Sequence, residues 1–202
     1  MNMAFKKLLC GFDEAGRGPL AGPVSAACVV LPEDFPVGLL DDSKRLSPKK
    51  REAACSLIKE KACWGLAFVS HEEIDRINIL NASLKAMSLA YAMLVPKLES
   101  WGHAHGFSGQ LCSGHLCGIV DGLYVPDVPC ECRSEAKADG RYPCVMAASI
   151  LAKVERDCLM ISYDREYPGY GYAKHKGYPT KAHIAACREL GPSPIQRLSF
   201  SY

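Results

Sequence analysis

The sequence predicts an α/β fold, a mixed β-sheet flanked by helices. Three observations carry that expectation: short apolar segments at 8–12, 24–31 and 64–69, helical periodicity interleaved with and following them, and two further brief strands at 117–120 and 130–133. At 202 residues the chain is long enough to bury a substantial core as one enzyme-sized unit.

The first two strands are separated only by a tight Gly/Pro turn, so they are expected to pair antiparallel; Pro32 closes the second. Ser47-Pro48 reads as an N-cap with proline at the first helical position, followed by Ala53, Ala54, Leu57 and Ile58 at helical spacing. Ser70-His71-Glu72-Glu73 has the form of a capping box. A helix over 80–94 with a broad apolar side follows, with Pro96 as its stop. Residues 100–118, dense in Gly, His, Ser and Cys, read as a loop or insertion. Residues 144–162 give the clearest later helix, and Thr180 caps a last one over 182–190 that Gly191-Pro192 ends.

Lys and Arg number 24 against 22 Asp and Glu, a net charge of +2, so nucleic-acid binding has to come from local basic patches rather than overall charge. The odd number of cysteines, 11, scattered and without a secretory segment before them, points to reduced thiols and a cytoplasmic protein. No stretch approaches the apolar length needed to span a bilayer, so no membrane partner is expected.

The chemistry concentrates where the first strand ends, in Phe12-Asp13-Glu14-Ala15-Gly16-Arg17-Gly18-Pro19. Two adjacent carboxylates suit a hard divalent cation, and small backbone beside an arginine lets a phosphodiester approach. Asp121 ends a later strand, and ligands in α/β sheets collect at the carboxyl ends of strands. Asp13 and Glu14 converge on one ion only if the strand breaks between them, because successive side chains leave on opposite faces. Asp139, in the loop before the long helix, is placed to reach the same rim. Oxygen-only ligation by four acids favours Mg²⁺ or Mn²⁺ and suits a phosphodiesterase. His103, His105, Cys112, His115 and Cys117 are residue types that suit a structural zinc module, but their spacing matches no regular knuckle or ribbon.

Six motifs, in order along nearly the whole chain, resemble type 2 ribonuclease H, the bacterial ribonuclease HII family. They are the run from Asp13 to Val24; Asp42-Ser43-Lys44-Arg45-Leu46-Ser47; Glu73-Ile74-Asp75 with Asn78-Ile79-Leu80; Val120-Asp121-Gly122; the run from Ala147 to Val154 with Arg156-Asp157; and His175-Lys176-Gly177-Tyr178. The resemblance implies an RNase H-like catalytic domain over 1–165 and a helical C-terminal extension over 166–202 packed on the same unit. It implies endonucleolytic cleavage of RNA in RNA/DNA hybrids and on the 5′ side of single ribonucleotides embedded in duplex DNA, leaving 3′-hydroxyl and 5′-phosphate ends.

By the same resemblance, Asp13, Glu14, Asp121 and Asp139 are the metal-binding and catalytic carboxylates. Asp157 is the rival fourth acid, but it lies four residues after Lys153 on one helix, where an ion pair accounts for it. Gly16, Arg17 and Gly18 are expected to read the 2′-hydroxyl, the group that separates RNA from DNA at one site. Tyr178 is expected to pack on the neighbouring sugar, with Lys44, Ser149 and Lys153 as phosphate contacts. Lys49, Lys50 and Arg51 oppose their helix dipole, which suggests a backbone track with Lys44 and Arg45. Gln196 stands where the family usually shows histidine. The stretch from Gln196 to Phe200 loosely resembles a sliding-clamp peptide, so a clamp contact joins the nucleic acid among candidate partners; a monomer is expected.

Overall fold

A computed structural model describes residues 7–43, 45–107 and 111–201. Lys44, one of the expected phosphate contacts, lies outside the described residues. Five strands, β1 (Leu8–Ala15), β2 (Val24–Val30), β3 (Cys63–Val69), β4 (Leu116–Asp121) and β5 (Glu131–Glu135), form one sheet in the order β3-β2-β1-β4-β5. β1 pairs antiparallel with β2, as the short turn between them requires, and β2 antiparallel with β3. β4 joins β1, and β5 joins β4, in parallel. The mixed sheet is the predicted one.

The parallel β1–β4 pair positions the site. Gly11 is level with Ile119 and Phe12 with Val120, so the next residue on each strand, Asp13 and Asp121, emerges at the same carboxyl rim. Both acids also share a face. Phe12 and Val120 pack into the core on one side of the sheet, whereas Ile119 packs with Val145 on the other, and strand alternation puts Asp13 and Asp121 on that second side.

The first side is covered by α3 (Ile79–Ala104), which buries Ala82, Ala86, Met87, Ala90, Leu94 and Leu98. The second is covered by α1 (Pro48–Lys61) and the long α4 (Pro143–Glu166), whose Ala147, Ala148, Ile150 and Leu151 meet Ala27 and Val29 of β2. The caps at Ser47 and Ser70 form as expected, Ser47 accepting from the Lys50 N–H and Ser70 from the Glu73 N–H at the start of α2 (His71–Ile77). The reciprocal half of the Ser70 box is replaced, since the Glu73 carboxylate turns to Arg76 and Lys85.

Two expectations are corrected on α3. The helix does not stop at Pro96 but runs through it to Ala104. An interior proline costs about 3 kcal/mol, partly through the carbonyl it strands four residues back. Here Pro96 and Ala92 are both exposed, so water reaches that carbonyl, while burial of Leu94, Leu98 and Gly102 keeps the helix docked on either side. Consequently α3 is long and apolar enough, by length and composition, to cross a membrane, contrary to the sequence reading; its apolar side lies against the sheet. Residues 100–118 are correspondingly less of a loop than expected, since they begin with the last turns of α3 and end in β4.

After α4, two short helices, α5 (Tyr172–His175) and α6 (Lys181–Leu190), fold back over the β1–β2 turn. Tyr172, Met160 and Ile195 bury Ala21 of that turn, and Gln196 bridges to Ala21.

Candidate active site

The structure gathers Asp13, Asp121 and Asp139 so that one oxygen from each lies within 4.8 Å of the other two. Asp13 and Asp121 come from the adjacent strand ends. Asp139 comes from a 3₁₀ turn, Ala138–Gly140, that is moored to the same rim because the Ala138 N–H donates to Asp121 Oδ1 at 2.8 Å. Asp13 is only 5% exposed, and its Oδ1 accepts from the Glu14 N–H at 2.7 Å. Burial raises its carboxyl well above the ordinary value; the Glu14 and Asp121 charges add to that, while a hydrogen bond from Ser149 opposes it. A carboxylate stripped of water beside others holds a proton until a cation takes that proton's place.

Glu14 is not part of that triad. The expected break in the strand is absent: β1 stays regular through Ala15, paired with Ser25, so Glu14 leaves on the face opposite Asp13. Its carboxylate takes Arg17 Nη1 at 3.1 Å, and burial raises its pKa against that arginine's opposing charge. It still lines the same cleft, of about 530 Å³, beside Asp13 and Asp121.

The cleft's other walls contain most of the remaining candidates. Gly16, Arg17 and Gly18 line it together with Ser149 and Lys153 of α4 and Tyr178, which is 39% exposed. A Cβ on Gly18 would sit 3.6 Å from Tyr178 Cε1, so the tyrosine ring faces the turn directly. Ser149 Oγ shares a hydrogen bond with Ser43 Oγ at 3.0 Å. Lys153 Nζ holds Asp157 at 2.8 Å and lies 5.8 Å from the Tyr178 ring centre. Asp157 is therefore the ion-pair member the helix spacing suggested, and Asp139 is the acid that meets the other two.

A family model described as Ribonuclease HII matches residues 10–100 and 124–202, most of the chain. The chain belongs to the ribonuclease HII family. It is 48% identical over 197 residues to Ribonuclease HII of Treponema denticola, covering 96% of this chain and 98% of the relative. It is 46% identical over 194 residues to that of Dechloromonas aromatica, covering 96% and 90%. Among solved structures it resembles ribonuclease H2 of Pyrococcus horikoshii, with TM-score 0.69 and 25% identity over 96% of this chain and 93% of that one. The ribonuclease HII of Archaeoglobus fulgidus, solved as a complex with PCNA, shares the fold at TM-score 0.70 and 24% identity, covering 96% of each chain.

This member of the ribonuclease HII family is thus a ribonuclease H, a hydrolase that cleaves the RNA of RNA/DNA hybrids and depends on divalent metal. The family match leaves out residues 101–123, and Asp121 falls within them. Its place in the site rests on the strand register and on its contact with the Asp139 turn. The donor set fits the metal requirement: three carboxylates converge and no sulfur or nitrogen donor joins them among the described residues. Among the described residues the five-residue zinc grouping forms no single cluster; Cys112 Sγ meets His115 Nδ1 at 3.3 Å.

Two buried arginines support the ribonuclease HII site from behind, a role that no local sequence pattern announces. Arg197, fully buried, donates from Nη2 to the Gly16 carbonyl, from Nη1 to Arg17 and from Nε to Gly22, at 2.6, 3.1 and 2.9 Å. Arg156 donates to the carbonyls of Pro23, Ala21 and Lys176 at 2.8, 3.1 and 3.0 Å. Desolvation lowers Arg156 to about 10 and Arg197 to about 9. The Gly16-Arg17-Gly18 turn is therefore held by the Arg197 guanidinium, which comes from 180 residues further along the chain, while Arg156 ties the following Ala21–Pro23 segment to Lys176. Gly16 has φ +98°, and a Cβ there would fall 2.1 Å from Arg156 Nε, so only glycine allows this packing. The expected basic track is only partly present: Lys49 and Lys50 are exposed, but Arg51 turns inward to the Leu46 carbonyl and towards Asp157.

Proposed function

We propose that this ribonuclease H incises duplex DNA on the 5′ side of a single embedded ribonucleotide, leaving 3′-hydroxyl and 5′-phosphate ends, and so initiates ribonucleotide removal. The observation that supports this reading is the convergence of Asp13, Asp121 and Asp139 in the cleft that the Gly16-Arg17-Gly18 turn lines, with the Tyr178 ring directly against that turn.

In this reading Asp13, Asp121 and Asp139, with Glu14 at their side, hold Mg²⁺ or Mn²⁺. Bound there, such ions stabilise the charge on the attacking and leaving oxygens of phosphodiester hydrolysis. The chain's own residues decide where that happens. Backbone of the Gly-Arg-Gly turn, rigid because Arg197 fixes the Gly16 and Arg17 carbonyls, reads the 2′-hydroxyl that a deoxynucleotide lacks. Tyr178 presents its ring to the next sugar and admits the junction from RNA to DNA. Ser149 and Lys153, with Lys44, take the phosphates that flank the cut. The reading extends to a cytoplasmic monomer whose catalytic domain spans 1–165 and whose extension over 166–202 supplies Tyr178.

An end-labelled duplex carrying one ribonucleotide tests the proposal, incubated with Mg²⁺ or Mn²⁺ or with chelator. One metal-dependent product cut 5′ to the ribonucleotide and ending in 3′-hydroxyl is expected. A cut on the 3′ side, or an intact duplex under conditions in which a long hybrid is degraded, overturns it.

A further inference from the structure

Tyr178 is held by two histidines that the site does not otherwise use. The Tyr178 N–H donates to the His175 carbonyl at 2.9 Å, and the N–H of Gly177 donates to His175 Nδ1 at 3.2 Å. On the other side, His183 Nδ1 donates to the Tyr178 carbonyl at 3.0 Å. These bonds fix the tautomers. His175 Nδ1 must be bare to accept, so its proton sits on Nε2, which donates to the Tyr170 carbonyl at 2.8 Å. His183 carries its proton on Nδ1, and its Nε2 is buried with no hydrogen-bond partner. The rings stack at 4.4 Å and 18°, with the edge of Tyr172 against both.

The loop is also tied to the segment between β1 and β2 that follows the Gly-Arg-Gly turn. The Leu20 N–H donates to the Gly177 carbonyl at 2.8 Å, and Gly177 has φ +83° with its would-be Cβ 2.6 Å from the Ala21 carbonyl oxygen. A side chain there would force the Gly177 backbone and the Ala21 carbonyl apart.

We propose that His175 and His183 are positioning residues, a neutral stacked pair that fixes the Gly177–Tyr178 backbone and so sets discrimination for a lone ribonucleotide, and that charging the pair releases this grip. The inference rests on Tyr178 acting at the RNA–DNA junction. Burial lowers both histidines from their ordinary 6.5, which keeps them neutral at neutral pH. Around His175 lie Asp164 of α4, Lys176, Tyr170 and Tyr172; around His183 lie Tyr172, Tyr178 and His175 itself. Asp164 favours the His175 cation and Lys176 opposes it, with desolvation the larger effect. Once acid overcomes that, a proton on His175 Nδ1 points donor at donor toward Gly177 N–H, and two cations face each other across the stack.

The test compares kcat/KM on a duplex with one ribonucleotide and on a long RNA/DNA hybrid. His183→Phe keeps the stack and deletes the donor; a displacement of Tyr178 well under 1 Å is expected to cost about 10-fold on the single ribonucleotide and under about threefold on the hybrid. His183→Asn returns a donor near the Nδ1 position and restores the first substrate to within about threefold. Between pH 6.5 and about 5 the ratio of the two values falls in the parent enzyme and stays flat in His175→Asn, whose amide oxygen accepts from Gly177 without titrating. Taking the ratio cancels acid effects on metal binding, which both substrates share. Equal losses on both substrates without rescue by asparagine, or a flat ratio in the parent, overturn the proposal. If His183→Phe does not fold, the His175→Asn profile decides alone. Selective loss in Tyr178→Ala with no effect of the histidine variants refutes the clamp only, whereas a parent enzyme inert on the single ribonucleotide refutes the functional reading beneath it.

Discussion

Asp121→Asn is expected to abolish cleavage and yet make the metal-free protein more stable. The asparagine oxygen can keep the 2.8 Å bond from the Ala138 N–H, so the turn carrying Asp139 stays moored while one negative charge disappears. The three acids approach within 4.8 Å. Two unit charges at such a separation repel by roughly 3.5 kcal/mol at an effective dielectric near 20. Protonation of the buried Asp13 and access of water to the rim relieve much of this, leaving about 1–2 kcal/mol to recover. For a domain of this size each kcal/mol moves Tm by about 2–4 °C, so a rise of about 2–8 °C is expected. Scanning calorimetry in chelator measures it, and repeating the scan with Mg²⁺ separates the two roles of the charge. The parent gains stability as metal binds the native state alone, and the variant gains little. A Tm in chelator at or below the parent's, or an equal Mg²⁺-induced rise in both proteins, refutes the assignment of these carboxylates to a shared cation.

Two further substitutions probe the surrounding structure. Asp139→Asn is expected to lower metal-dependent hybrid cleavage by at least about 100-fold while Asp157→Asn stays within about threefold, because Asp157 is spent on Lys153 and Arg51; steady-state rates at saturating Mg²⁺ compare them, and the reverse order removes Asp139 from the site. Arg197→Leu leaves three buried carbonyls without a donor, each worth about 1–3 kcal/mol. With water recovering some of that, a loss of roughly 3–5 kcal/mol and a Tm fall on the order of 10 °C is expected by calorimetry; a fall under about 2 °C would show that the turn stands without the guanidinium.

The parts of the site that were legible in the sequence are those whose cause is local. A strand that ends in carboxylates and runs into glycines announces Asp13 and Asp121, and an acid shortly before a long helix announces Asp139. The mixed sheet was legible for the same reason, since a short turn forces the β1–β2 pair to be antiparallel. The expectations that failed assumed a local rule where packing decides. Proline stops a helix when its stranded carbonyl has no partner, but at Pro96 solvent supplies one and the buried side of α3 continues. Convergence of Glu14 with Asp13 is conditional on a strand break; β1 instead stays paired with β2 through Ala15, so Glu14 lines the same cleft beside Arg17 rather than joining the triad.

What no local pattern could show is the support of the Gly-Arg-Gly turn and of Tyr178. In sequence nothing local marks Arg197 or Arg156 as buried, and His183 looks like any helical histidine. Their roles exist because α4 and the final segment of the chain pack across the β1–β2 turn and bring buried donors to carbonyls that turn cannot satisfy itself. In the proposed reading the carboxylates mark where bond breaking occurs, whereas the distinction between ribose and deoxyribose falls to backbone held in place from residues 156–197. Substitutions in that region should therefore change which substrate is cut before they change whether the enzyme cuts at all.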